Sequence, residues 1–311
     1  MKKSALAFTC AVLIAALASP ANAQTDFLGG TLTNAANWSA GLPTSPENAG
    51  TIAINGTIPA TSTANWTFYM TQTAGSVTFS GSGQDFKLVG GSLTQDGGTW
   101  GTSSGRGFNI TSSNETTIIS GSIIGGDKSH SYLKNGATLT VNGGKFEHFG
   151  TRSVNIQDGA KLIVNGGTFK IGNGDFVNAT AGTTSGGILV FNGGTTTANR
   201  FNFGRLSTVT FGGTSTGSVI VGVSSTNATL NWLTDTHMSL SLTNAPDVWA
   251  ETEWDAGRLL YNGQSKTTLS KTWSEVTVSG GLGPKTYFNF TGTTLSLVTI
   301  TSPPGTLIRF Q

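Results

Sequence analysis

Residues 141–146 read VNGGKF, and residues 164–169 read VNGGTF. This near-identity decides the fold. Aligned without a gap, 136–158 (GATLTVNGGKFEHFGTRSVNIQD) and 159–181 (GAKLIVNGGTFKIGNGDFVNATA) agree at ten of twenty-three positions. A weaker copy, GGILVFNGGTTTANRFNFG, spans 186–204, and a trace, STVTFGGTSTG, covers 207–217. SVTFSGSG at 76–83 and KLVGGSLTQDGGTW at 87–100 share the texture. Periods of this size indicate stacked repeats.

Within a repeat, Leu139 and Val141 stand two apart, as do Leu162 with Val164, Leu189 with Phe191 and Val209 with Phe211. Period two puts each pair on one face of a strand. Phe146 and Phe169 mark a second strand, and Val154 with Ile156, then Val177 with Ala179, a third. Gly143-Gly144 and Gly166-Gly167 fit a corner between strands, where glycine adopts positive φ without penalty. Three short strands per repeat predict an all-β fold, a right-handed parallel β-helix of six or seven coils. The hand follows the usual crossover preference. Coils stack at about 4.8 Å, so Asn142, Asn165 and Asn192 should form an amide ladder and Phe146 should lie over Phe169.

Segment 24–70, with Trp38, Trp66, Pro43 and Pro46, is expected to cap the helix at 71–230. Segment 231–300 is expected to close it as a β-rich unit, with strands that include RLLYNG and WSEVTVSG and a short helical turn at 248–254. The tail 301–311 is expected to be loosely held.

The interval 127–175 concentrates charge in a chain of which 10% is charged. Glu147 falls one repeat before Lys170, and Arg152 one repeat before Asp175, so both pairs are expected to stack as opposite charges. Lys145, Glu147, His148, Arg152 and Lys170 make the candidate binding face. No catalytic residue is assigned. Hydrolysis of a glycosidic bond calls for two facing carboxylates, and Lys170 occupies the place of a partner for Glu147. Elimination by lysine or arginine on this face stays open as an alternative.

G-x-S-x-G occurs at Gly101-Ser103-Gly105 and Gly213-Ser215-Gly217, but neither precedes a helical pattern. His130, His148 and His237 have no metal-ligand spacing. No phosphate-binding loop or dinucleotide fingerprint is present, so no metal or cofactor is expected. An ice-binding threonine array is discounted, because Thr138 and Thr140 are followed one repeat later by Lys161 and Ile163.

Residues 1–23 read as a signal peptide, with a basic start at Lys2 and Lys3, an apolar stretch and Ala21-Asn22-Ala23 before the cut. Its removal takes Cys10, the only cysteine, and lowers Lys plus Arg from 17 to 15, level with the 15 Asp plus Glu. A neutral mature chain does not suit nucleic acid, and no membrane span is expected in it.

NAANWSAGLPTSPENAGTIAI, near the mature start, resembles the N-W-x-x-G-x-P segment that opens many secreted bacterial β-repeat proteins. NWLTDTHMSLSL, WDAGRLLYNGQ and FNFTGTTLSLV look like their closing unit. These are exported proteins of planctomycete- and verrucomicrobia-like bacteria, PEP-CTERM-associated or autotransporter-like. The resemblance touches both ends and supplies no catalytic residue. It implies a pectin-lyase-like solenoid, secreted or at the cell surface, with a structural or adhesive role. Its partners would be polysaccharide or other surface proteins. The ending ITSPPGTLIRFQ departs from the family's sorting tail, so release or association is expected rather than anchoring. Self-assembly into a filament or matrix is a third reading.

Overall fold

The computed structural model describes residues 24–59, 66–80, 85–102, 106–126, 129–178, 186–203, 207–226, 228–243, 245–277, 282 and 286–300. The expected signal peptide and tail lie outside these. The described chain is a parallel β-solenoid of about eight turns, with three sheets running along its length. In the coil at its middle, Thr138–Val141 belongs to sheet I, Lys145–His148 to sheet II and Val154–Ile156 to sheet III. The next coil stacks on these as Lys161–Val164, Thr168–Ile171 and Phe176–Asn178.

Each sheet sends columns of alternate side chains inward. In sheet I, Leu93, Thr116, Leu139, Leu162, Leu189, Val209, Leu230 and Leu259 stack in register, and all are buried. Sheet II contributes Val77, Trp100, Ile123, Phe146 and Phe169. Phe146 and Phe169 lie parallel, with ring centroids 4.9 Å apart. Each such side chain contributes about 1.5–3 kcal/mol by leaving water, so the single continuous core accounts for the order of every coil.

The amide ladder is present: Asn165 Nδ2 donates to Asn142 Oδ1 at 2.9 Å, and Asn192 Nδ2 to Asn165 Oδ1 at 2.8 Å. Beside it, both glycines of the hexapeptide are demanded by the coil below. A Cβ on Gly166 would sit 2.3 Å from Asn142 O, and one on Gly167 would sit 2.2 Å from Gly144 O. At the corner from sheet III to sheet I, two consecutive residues have positive φ in four successive coils. They are Gly90-Gly91, Ser112-Ser113, Asn135-Gly136 and Asp158-Gly159.

Four expectations are corrected. Parallel pairing starts at once, with Thr25 opposite Gly50 and Gly30 opposite Gly56. The segment expected as a cap therefore supplies coils itself, which lifts the turn count above six or seven. The pairing of Arg152 with Asp175 does not form. Val154 stands opposite Phe176 rather than Val177, because the link after sheet II is one residue shorter in the second coil. Asp175 is thereby offset and takes Arg200 of the following coil, at 3.1 and 3.0 Å. Of the expected WSEVTVSG strand, Trp273–Thr277 is instead a helix, and 278–280 lie outside the described residues. The start of the helix is a Thr-x-x-Glu capping arrangement, with Thr272 N–H donating to Glu275 Oε2 at 2.7 Å.

The C-terminal closure reverses chain direction. Thr294–Thr299 lies antiparallel to Met238–Leu242 and to Thr286–Thr291. Trp232, Trp254 and Trp273 surround Phe288 with ring centroids 5.9–6.0 Å away. The expected helical turn is found at Trp249–Asp255. Glu253, buried there, accepts two hydrogen bonds from the Arg258 guanidinium at 2.6 and 2.9 Å, which fixes the helix to the strand that follows.

Gly159 and Gly167 separate backbone conformation from steric contact. Both have positive φ, but a Cβ on Gly159 would meet open space. Gly159→Ala is expected to cost about 1–2 kcal/mol. Gly167→Ala should cost that and about 1–3 kcal/mol more. Urea midpoints check the ranking, and equal shifts would refute the steric account.

Candidate functional site

The expected charged face is only partly brought together. Lys145, Glu147 and Lys170 point outward from sheet II, with Glu147 between Ile124 and Lys170 in register. The Glu147 carboxylate bridges both ammonium groups, with Lys170 Nζ at 3.1 Å and Lys145 in direct contact. Burial by itself would raise the Glu147 carboxyl, but the hydrogen bonds and charges of Lys145 and Lys170 outweigh it and hold the group below its ordinary value. Arg152 lies in the exposed link beyond sheet II, and among the described residues it forms no ion pair.

His148 points the other way and is fully buried. Its Nδ1 lies 3.0 Å from Ser131 Oγ, which accepts the Phe108 N–H at 2.9 Å. With Oγ donating to the ring, the geometry is that of a nucleophile and its base. Both side chains lie inside the solenoid, at 0% and 1% exposure, where no substrate carbonyl can reach them. The pair satisfies buried polar groups. His130 likewise accepts a backbone bond, from Ser153 N–H at 3.0 Å. Ser215 lies in an exposed turn between two strands, and Ser103 lies outside the described residues. No cluster of three or more His, Cys, Asp or Glu is gathered among the described residues.

Two features escaped the sequence. Thr51, Thr71, Thr94, Thr117 and Thr140 stack in register along the outside of sheet I. The threonine column that ends at Ile163 thus extends toward the N terminus. It stays single, because the adjoining column reads Tyr69, Ser92, Glu115, Thr138, Lys161. The other feature is a trough of about 240 Å³ on the outside of sheet III, walled by Lys87 and Lys134 and floored by Asn109 and Thr111. Asn109 is 5% exposed and Thr111 6%. Asn109 Oδ1 accepts the Tyr132 N–H at 2.9 Å, and Lys134 Nζ stands 5.6 Å from the Tyr132 ring centre. These residues come from three coils and repeat no motif, so only the exact coil lengths reveal their proximity.

No protein-family model matches the chain, and neither a curated protein nor a solved structure does so. The fold alone therefore sets the class, a β-solenoid. No helix among the described residues is long and apolar enough to cross a membrane.

The Glu147 bridge has a pH signature. The folded group titrates below its ordinary value of 4.5. Its stabilising contribution is thus complete above that pH and is lost as pH falls through the folded value. The stability gap between wild type and Glu147→Gln should be constant from pH 7 to pH 4.5 and should close on further acidification. Urea titrations across this range test it, and a gap that widens in acid would contradict the bridge.

Proposed function

We propose that this chain is an exported, non-catalytic solenoid of the cell surface or extracellular matrix, structural and adhesive, with outer faces that meet glycans or other surface proteins. One observation carries the reading. Apart from the exposed Arg152, the groups on the charged face that could perform chemistry are engaged: Glu147 bridges Lys145 of its own strand and Lys170 of the next coil, and the Ser131–His148 pair is sealed in the core. A lyase would need a basic side chain released from such a bridge and aimed at an acidic proton. Support for export comes from the signal-peptide pattern of residues 1–23 and from the resemblance of both ends to secreted bacterial β-repeat proteins. The threonine column and the asparagine ladder give the outside a polar, uncharged texture compatible with a matrix role.

Two measurements test this. Expressed in a diderm bacterium, the protein should be recovered from the envelope or medium with Gln24 as its first residue, read by mass spectrometry. Retention in the cytoplasm with Met1 intact would overturn export. Incubated with acidic polysaccharides, the purified protein should release no ultraviolet-absorbing unsaturated uronate. A rising absorbance abolished by Arg152→Ala or Lys170→Ala would make the charged face an active site.

A further inference from the structure

We propose that the trough on sheet III binds the acidic group of an anionic polysaccharide, a carboxylate or sulfate on a sugar ring, between Lys87 and Lys134. The inference deepens the surface role argued above and rests on that reading for encounter with polysaccharide, though not for the site itself.

The walls come first. Lys87 belongs to strand Phe86–Thr102 and Lys134 to Ser131–Lys134, and the Phe108–Thr111 strand runs between them. Lys87 stands opposite Asn109 and Lys134 opposite Thr111, two residues further along, so two ladder steps and two residues of strand rise place the lysine backbones roughly 12 Å apart, at diagonal corners of the trough. Among the described residues neither lysine has an ion-pair partner, in contrast to Lys145, Lys170 and Lys266. Asp85, an acid beside the floor, accepts the Gly107 N–H at 3.1 Å and a hydrogen bond from Asn109 Nδ2 at 3.4 Å.

The floor and rim then choose among anions. Asn109 and Thr111 are more than nine-tenths buried and yet line the trough. Ser112 and Asn135 at the corner add a hydroxyl and an amide to the rim. Neutral donors and acceptors of this kind match sugar hydroxyls, and two fixed cations match one acidic substituent. A nucleic acid would present a run of phosphates to a surface that offers two cations in a neutral mature chain, too few for that mode of binding. The Lys134 ammonium stands 5.6 Å from the Tyr132 ring centre, which limits where that cation can go. Beyond Tyr132, Asn155 is next in register, so the polar surface continues along the solenoid axis as a linear polymer would.

Affinity electrophoresis of the purified protein tests the site. The gels contain polygalacturonate, dextran sulfate or neutral dextran, and the variants are Lys87→Ala, Lys134→Ala and Lys161→Ala. Lys161 is exposed on sheet I and controls for loss of charge elsewhere. Retardation is expected in one or both acidic gels and not in neutral dextran, and the gel that retards names carboxylate or sulfate. Loss of either trough lysine should weaken binding about tenfold, as for one charge-assisted hydrogen bond, while Lys161→Ala binds as wild type does. No retardation in either acidic gel, equal retardation in neutral dextran, or equal weakening by Lys161→Ala would each overturn the proposal. Unchanged urea midpoints for the trough variants confirm that their fold is intact. Because the assay uses purified protein, failed export leaves this result standing, and failed retardation leaves export standing.

Discussion

Every coil of this protein is held by its neighbours through parallel backbone ladders spaced at about 4.8 Å. That spacing is the constraint on which the rest depends. Each position must tolerate whatever lies one coil away, at a distance shorter than most side chains are long. Aliphatic and aromatic residues meet the demand inside by packing on their own kind. Asparagines meet it at a corner by bonding amide to amide, and glycines meet it where the backbone of the preceding coil leaves no room for a Cβ. Charges on the outside obey the same rule, which is why Glu147 comes to rest against Lys170 of the next coil.

The hexapeptide was legible because all these demands fall on it together. Asn165, Gly166, Gly167 and Phe169 each answer a separate neighbour in the coil below, so little else can stand there. Where fewer demands coincide, the sequence spoke less clearly. Thr25–Asp26 and Gly30–Thr31 are two-residue strands, too short to carry an alternating pattern, and their place in the solenoid follows only from pairing. Val154 and Val177 match in a gapless alignment, yet one residue fewer in a link shifts them out of register, and the partner of Asp175 changes with them. At WSEVT, capping by Thr272 and Glu275 prevailed over an alternation that suited a strand. The trough was illegible for a related reason, since Lys87, Asn109 and Lys134 share no motif and meet only through coil lengths.

A solenoid separates its inside from its outside strictly, and that separation shaped the reading of its chemistry. His148 and Lys145 lie three residues apart in one strand, and the alternation of the strand sends them to different worlds. The histidine bonds a serine in the dry core, and the lysine meets solvent and a carboxylate. A cluster of reactive residue types along the sequence is therefore weak evidence for a site in this architecture. Residues of the same parity in successive coils are the ones that share a surface.

The corner at Ser112-Ser113 draws these themes together. Its neighbours above and below use glycine in at least one of the two left-handed positions, whereas this level uses two serines. Such conformations cost of order 1–3 kcal/mol for a residue with a Cβ. Glycine at Ser112 would relax the turn, but it would also strip a hydroxyl from the rim of the sheet III trough. Stability and surface chemistry are thus opposed at this one turn, and the chain carries the less stable choice.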